Sequence, residues 1–444
     1  MTALTRRHFI AGGLAAGALG LAGLTGCAPA AEKSGEDVSA SAGADGAATP
    51  AAGERPWEIA PAPIAEGQIT ETVESDVVII GLGASGTYAA TSAIEQDPYN
   101  GDLGLGFVPE IDLLGALLGH IQDKGADICF KHTSQQLVRD GDGRVSAVIA
   151  ADETGALKKF VGTKGIVIAT GSYSQDAAML EYFCPMVTHN PVGDKVAQFN
   201  MGDGSGIKQA LWVGGTMQNN GDHPPMMFWG STNCIKNVMV NSTGRRFIDE
   251  NAGQSNFAAA QFNQPGGTMV ALWNEAYASQ LPAISYRADD PSWAAKPEEL
   301  LAKWNALVEE GIFMKADSLD EIAAAYDLPA DVLARTVETY NGYCAAGEDG
   351  EFHKNPATLH ELTGPYFATK YDVPASLACM GGLHVNALSQ VLTETEEPIV
   401  GLYAIGLAAG DFYANQYSTR FAGNSLGRCM TFGYLIGRQL AGLE

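Results

Sequence analysis

An apolar run, Asp76-Val77-Val78-Ile79-Ile80, passes directly into Gly81-Leu82-Gly83-Ala84-Ser85-Gly86, and Thr87 to Glu95 continues with helix-compatible residues. No other stretch restricts the fold as much. Strand, tight glycine turn and helix in immediate succession form the setting in which a GxGxxG spacing carries meaning. Gly81 allows the turn, Gly83 lets a pyrophosphate reach the backbone, and Gly86 lets helix and strand approach closely. The helix start then directs unpaired N–H groups and a positive dipole end at phosphate. The spacing predicts a dinucleotide-binding α/β unit.

The next element breaks the pattern. A Rossmann unit supplies a second strand ending in an acid about 20 residues on, which holds ribose hydroxyls. Here Gln96-Asp97-Pro98-Tyr99-Asn100-Gly101-Asp102 reads as turn. Asp102 stands at the right distance in the wrong context, and Glu95 comes too early, so the second strand is expected to be missing. From Pro109 the pattern recovers. Leu113, Leu114, Leu117, Leu118 and Ile121 make one apolar helix face, and Gly125 ends it. Ala126 to Phe130 reads as a short strand, and Asp140-Gly141-Asp142-Gly143 as a hairpin turn between Gln136–Arg139 and Arg144–Ala151. Gly165-Ile166-Val167-Ile168-Ala169-Thr170-Gly171 reads as a buried strand.

Charge narrows the partners. The 444 residues carry 26 Lys+Arg against 51 Asp+Glu, a net charge of −25. Nucleic acid is excluded as a partner, because phosphate binding needs a basic footprint. No apolar run reaches the ~18–20 residues without Gly that a spanning helix wants, so a polytopic membrane protein is excluded too. At about 150 residues per domain the length suggests two or three domains. Cys129, Cys184, Cys234, Cys344, Cys379 and Cys429 show no CxxC or CxxCH spacing, so no metal ligand set and no covalent haem is expected.

Residues 1–26 read as an export signal. Thr5-Arg6-Arg7-His8-Phe9-Ile10 has the twin-arginine pattern, and Leu24-Thr25-Gly26-Cys27 reads as a lipobox whose cysteine is cleaved and acylated. The expectation is export by the twin-arginine route and a lipid anchor at the outer face of the cell membrane. Residues 27–70, rich in Ala, Gly, Pro, Ser and Glu, read as a flexible tether.

Taken with the glycine turn, several further segments resemble the fumarate reductase/succinate dehydrogenase flavoprotein family, in particular its flavocytochrome c-like branch. They are Gly143-Arg144-Val145-Ser146-Ala147-Val148-Ile149-Ala150, the strand ending in Ala169-Thr170-Gly171-Ser172, Met201-Gly202-Asp203-Gly204 and Met380-Gly381-Gly382-Leu383. Pro398-Ile399-Val400-Gly401-Leu402-Tyr403-Ala404-Ile405-Gly406 and Gly423-Asn424-Ser425-Leu426 complete the likeness. The resemblance implies an α/β fold: a Rossmann-like FAD-binding domain, 71–217 and 377–444, split by an inserted α+β capping domain, 218–376, with the first unit incomplete. Helices are visible in the insert at Glu298–Glu310, after the capping box Ser318-Leu319-Asp320-Glu321, and at Pro329–Cys344.

The resemblance further implies non-covalently bound FAD. Its cradle would be Gly81, Gly83, Ala84, Ser85, Gly86, Thr170, Gly171, Gly406, Asn424, Ser425 and Leu426. It implies hydride transfer to the activated C=C bond of a small organic acceptor, with electrons from a separate quinol-linked or haem protein. Arg420 matches the carboxylate-binding arginine and His223 the substrate histidine. The position of the proton-donating arginine falls on Gln254, and a neutral amide has no proton to give at pH 7. The acid and arginine of the proton relay fall on Gly230 and Asn233, and a second substrate histidine on Leu377 or Ala378. Fumarate is therefore not the expected acceptor. Gly401 to Gly437 also resembles the 3-ketosteroid dehydrogenase branch, which puts acid work on Tyr417 or Tyr413 and leaves a flavin dehydrogenase of a steroid-like substrate open. A binding lipoprotein that no longer holds FAD is the third alternative. Arg245 and Arg246 read as structural.

Overall fold

The computed structural model describes residues 55–94, 110–190, 197–198, 202–218, 226–229, 237–252, 254–280, 296–371, 376–413 and 424–443. Residues 55–70, expected as part of the tether, are among those described. Trp57 is 5% exposed; its ring meets Tyr182 and Phe183 at 5.4 and 5.8 Å, and its carbonyl accepts from Trp212 Nε1 at 3.0 Å. Tether composition is an average over a segment, and it misses one indole that finds an aromatic pocket.

Strand β1 (Ile69–Ile80) is followed by helices α1 (Ala84–Ile94) and α2 (Glu110–Asp123). Then come β2 (Thr133–Arg139), β3 (Val145–Ala151), β4 (Leu157–Ile168) and the short helices α3 (Ala177–Phe183) and α4 (Pro185–Thr188). Strand β5 (Ala197–Gln198), helix α5 (Ser205–Trp212) and strands β6 (Met226–Trp229) and β7 (Val238–Asn241) precede α6 (Gln254–Phe262). Next are β8 (Met269–Asn274), α7 (Pro297–Glu309), β9 (Met314–Ala316), α8 (Leu319–Tyr326) and α9 (Ala330–Ala346). Strands β10 (Tyr366–Tyr371), β11 (Ser376–Cys379), β12 (Gln390–Leu392) and β13 (Pro398–Ala404) lead to α10 (Asn424–Ala441). No described helix is long and apolar enough to cross a membrane.

Residues 126–130 do not form the expected strand. Apolar content alone does not make a strand without a sheet edge to pair with, and Phe130 stays 61% exposed. The hairpin at 140–143 is present, with Gly143 N–H bonded to the Asp140 carbonyl at 2.9 Å.

The described residues fall into two compact units. The first comprises the described parts of 55–230, 252–267 and 376–443. Its main sheet has β4 as spine. β1 runs parallel to β4 along its whole length, from Ile69 beside Leu157 to Ile80 beside Ile168. A strand has two edges, so β3 and β13 share the other one. β3 is antiparallel to residues 157–161, and β13 is parallel to Ile166–Ile168. Ile166, Val167 and Ile168 are accordingly fully buried.

Among the described residues no strand pairs with the free edge of β1. Val77, Val78, Ile79 and Ile80 are only half-buried, although their composition suits a central strand. Residues 95–109, where the second strand is expected to be missing, lie outside the described residues. Two elements from the stretch expected as a cap also belong to this unit. β6 pairs antiparallel with β11, and Phe262 of α6 joins the same core as Ile166 and Ile168.

The second unit, described over 237–251 and 268–371, is a four-stranded antiparallel sheet in the order β7-β8-β10-β9. Helices α8 and α9 supply its core, with Leu333, Val337 and Tyr340 against Val238, Val240 and Leu272. Ser318 caps α8 by accepting from the Glu321 N–H at 3.3 Å, as the capping box requires. Arg246 is structural: it forks onto Glu250 at 2.8 Å and Asp349 at 2.9 Å, all three side chains at 1% exposure or less. Lys354 joins this group, 3.4 Å from Glu250. The two carboxylates hold the Arg246 guanidinium above its ordinary range against the opposing effect of burial.

Candidate functional site

Three parallel strands end side by side. The Ala169 N–H bonds the Ile80 carbonyl and the Ile405 N–H bonds the Ile168 carbonyl, both at 2.9 Å. The loops that leave β1, β4 and β13 therefore start from one carboxyl edge, the place where open α/β sheets form their binding crevice. This register brings Gly81–Gly86, Thr170–Gly171 and Gly406 together from positions far apart in sequence.

The first loop is built on space. Gly81 has φ of +101°, and a Cβ there would meet the Ala169 carbonyl oxygen at 2.6 Å. A Cβ on Gly86 would meet the Gly81 oxygen at 2.0 Å, so strand and helix close on each other here. A Cβ on Gly83 would meet nothing within 4 Å. Two glycines are thus required by the chain itself, and the third leaves an open approach to the backbone. The Thr87 N–H, bonded to the Gly83 carbonyl at 3.0 Å, starts α1 at once. Ser85 is buried, and a Cβ on Gly406 would touch its hydroxyl at 2.5 Å.

Thr170 adds a polar atom to the same edge. Its Oγ1 is buried and has no hydrogen-bond partner among the described residues. A buried hydroxyl left so costs about 1–3 kcal/mol unless something accepts or donates there. Gly171, at φ +82°, turns the chain away.

Helix α10 opens with Asn424, Ser425 and Leu426, and its Gly433 and Gly437 lie on α1. One helical turn into α10, Arg428 is 5% exposed. Its Nη2 donates to the Gly406 and Ala409 carbonyls, the latter at 2.6 Å. The guanidinium lies beside Phe412 and Tyr413, at 5.1 and 5.2 Å from the ring centroids. Burial pulls its pKa below the usual arginine range. Tyr413 is therefore held as a stacking partner for this cation. Arg428 was not singled out from sequence, because a cation one turn into an amphipathic helix reads as solvent-facing.

A second set of close contacts backs Gly406. A Cβ on Gly382 would meet the Ala408 oxygen at 2.5 Å, and one on Gly410 would meet Gln218 Oε1 at 2.4 Å. Gln218 Oε1 accepts the Asp411 N–H at 2.9 Å. His384, next to this loop, lies between Asp411 at 2.7 Å and Glu396 at 2.9 Å. Although burial opposes it, these two carboxylates raise the His384 pKa above its ordinary value.

All the expected cradle residues are described: Gly81–Gly86, Thr170–Gly171 and Gly406 lie at one strand edge, and Asn424, Ser425 and Leu426 open α10. The expected catalytic residues Arg420, His223 and Tyr417 lie outside the described residues. Gln254 opens α6 in the first unit. No group of His, Cys, Asp and Glu suited to a metal occurs among the described residues.

Comparison with known proteins gives the following. A family model described as "FAD binding domain" matches residues 106–426, starting downstream of the glycine turn. The chain is 27% identical to 4-oxocyclohexanecarboxylate 2-dehydrogenase of Sinomonas cyclohexanicum, across 74% of this chain and 60% of that one. It is 26% identical to a probable fumarate reductase of Shewanella frigidimarina, across 69% and 48%. To vinyl phenol reductase of Lactiplantibacillus plantarum it is 26% identical, across 73% and 70%. The chain thus spans 60% and 48% of the length of the first two relatives. The fold resembles 3-ketosteroid-Δ4-(5α)-dehydrogenase of Rhodococcus jostii, with TM-score 0.64 and 19% identity over 85% of this chain and 99% of that one. It also resembles a flavocytochrome c3 fumarate reductase, with TM-score 0.60 and 19% identity over 85% and 79%.

Proposed function

Since the chain belongs to the FAD binding domain family, that of the fumarate reductase/succinate dehydrogenase flavoproteins, we propose that it is an FAD-dependent oxidoreductase. Its reaction is the reduction of an activated C=C bond in a small organic acceptor other than fumarate. The observation that carries this reading is the convergence of Gly81–Gly86, Thr170 and Gly406 at one strand edge, with Gly83 open and the Thr170 hydroxyl unpartnered. Those residues fit the family's cofactor.

Gly81, Gly83 and Ala84 to Gly86 would hold the pyrophosphate through backbone N–H groups at the start of α1. Asn424, Ser425 and Leu426 would present the start of α10 to the ring system. Bound FAD supplies a two-electron carrier able to deliver hydride to carbon. Arg428 fixes the Gly406–Ala409 carbonyls, so the loop keeps its shape when the cofactor enters or leaves. Arg420 would bind a substrate carbonyl or carboxylate, since a guanidinium suits a planar acceptor. Gln254 in place of the proton-donating arginine, and the similarity to vinyl phenol reductase, support an acceptor outside the dicarboxylates. Residues 218–376 include the segment that would close over substrate. Residues 1–26 would direct export, with Cys27 lipidated at the outer membrane face, and a quinol-linked or haem protein would deliver electrons.

The experiment is the visible spectrum of the purified chain before and after reconstitution with FAD, followed by chemical reduction. Reoxidation by vinyl arenes, acrylates or related enoates, but not by fumarate, is the expected result. A colourless protein that refuses FAD sinks the enzyme reading and favours a binding lipoprotein. The second reading, a dehydrogenase of cyclic ketones, draws on the relative in Sinomonas cyclohexanicum. It predicts the reverse: reduction of the oxidised flavin by a cyclic ketone.

A further inference from the structure

Tyr173, Cys184 and Cys379 occupy one spot in the core of the first unit, each at 0% exposure. The sulfur atoms of Cys184 and Cys379 lie 3.8 Å apart although the residues are 195 positions apart in sequence. Cys184 forms the corner between α3 and α4. Its N–H closes α3 on the Leu180 carbonyl at 2.8 Å, and its own carbonyl accepts from the Val187 N–H at 2.8 Å. Cys379 ends β11 and leads into Met380, Gly381 and Gly382, the loop that backs Ala408. The two thiols therefore connect a helical corner to the strand that enters the loop behind Gly406.

Nothing in the packing requires sulfur at both positions, since a thiol is a weak donor and serves a core only as a small apolar group. What two touching thiols share is the capacity to join. Closing the gap from 3.8 Å to a bond of about 2.0 Å asks the two thiols to turn toward each other. None of the described cysteines, Cys129, Cys184, Cys344, Cys379 and Cys429, is in a disulfide.

We propose that Cys184 and Cys379 are a disulfide-forming pair, which staples β11 to the α3–α4 corner when the chain meets a disulfide oxidant. The step balances by exchange. One thiol loses its proton and attacks the external disulfide, releasing a thiolate. The second thiolate then displaces the remaining external thiol, forming the Sγ–Sγ bond. Two electrons and two protons leave the pair, and the external disulfide becomes two thiols. The hydrogen bond with Cys184, and burial after it, push the Cys379 thiol well above its ordinary pKa. Exchange in the closed fold is therefore slow and proceeds through local opening, over minutes to hours. The bond closes a long loop, which restricts the unfolded chain and stabilises the folded one. This inference is independent of the cofactor and of the substrate.

The test uses the full chain. The protein is incubated with oxidised glutathione or left reduced, then unfolded, alkylated and digested. After oxidation, peptides carrying Cys184 and Cys379 should emerge joined; from the reduced sample both should emerge alkylated. The thermal midpoint should rise by several degrees on oxidation in the parent, and stay fixed in Cys184→Ser and in Cys379→Ser. Those variants also report whether any other pairing produces the shift. Both cysteines still alkylated after prolonged oxidation would overturn the proposal. So would joined peptides with a midpoint that does not rise, because a staple at this place must stabilise.

Discussion

Gly433 on α10 sits where α10 packs closely on α1, and replacing it should separate the two helices. A Cβ at this position would lie 2.3 Å from the Ser85 carbonyl oxygen and 3.0 Å from the Tyr88 Cβ. Ordinary contact begins near 3.4 Å, so α10 must move by about 1 Å, against backbone rather than a flexible side chain. Overpacking of this kind costs about 1–3 kcal/mol, and a clash with a carbonyl belongs at the upper end. Alanine returns about 1 kcal/mol through helix propensity. Gly433→Ala should therefore lose about 2 kcal/mol, a drop of roughly 5 °C in the midpoint of the unit. Because Ser85 lies in the phosphate turn, FAD affinity should fall about tenfold, or ~1.4 kcal/mol. Differential scanning fluorimetry without FAD, and flavin fluorescence quenching with it, read the two effects. Gly427→Ala on the same helix has nothing within 4 Å of its added Cβ, so it should gain stability by up to about 1 kcal/mol. Equal effects at the two glycines, or a stabilised Gly433→Ala, would refute the helix contact.

Gly83→Ala should leave the midpoint of the cofactor-free protein within about 0.5 kcal/mol, because the added Cβ meets nothing within 4 Å, yet weaken FAD binding about tenfold by equilibrium dialysis. Arg246→Met leaves Glu250 and Asp349 buried without the guanidinium that bridges them. It should cost about 3–5 kcal/mol in urea unfolding, and a neutral outcome would contradict the buried network. His384 has a raised folded pKa, so its contribution is complete below 6.5, the unfolded value, and lost as pH rises through the folded one. Wild type should thus be more stable than His384→Gln near pH 6, with the gap closing toward about pH 9. A gap that widens with pH would show that His384 is not held as a cation.

Much of the local structure was fixed before any tertiary contact was considered. The strand–GxGxxG–helix succession needs only neighbours in sequence, and so do the capping box at Ser318 and the hairpin at Asp140–Gly143. The glycine turn at Gly81–Gly86 was legible because so tight a strand-to-helix turn allows few residue types at few spacings. Tertiary structure decided what depends on partners distant in the chain. Val77–Ile80 carry the composition of a central strand but are half-buried, because β1 has a described neighbour on one edge only. Residues 126–130 are apolar without an edge to join, and Trp57 is buried because Tyr182 and Phe183 happen to receive it. Arg428 stands in a helical pattern that reads as exposed, yet two carbonyls and two rings from the loop after β13 enclose it. The Cys184–Cys379 contact has no sequence signal, since nothing in either local segment encodes a neighbour 195 residues away. Periodicity and turn chemistry act over a few residues, whereas burial is set by whichever surface the folded chain brings alongside.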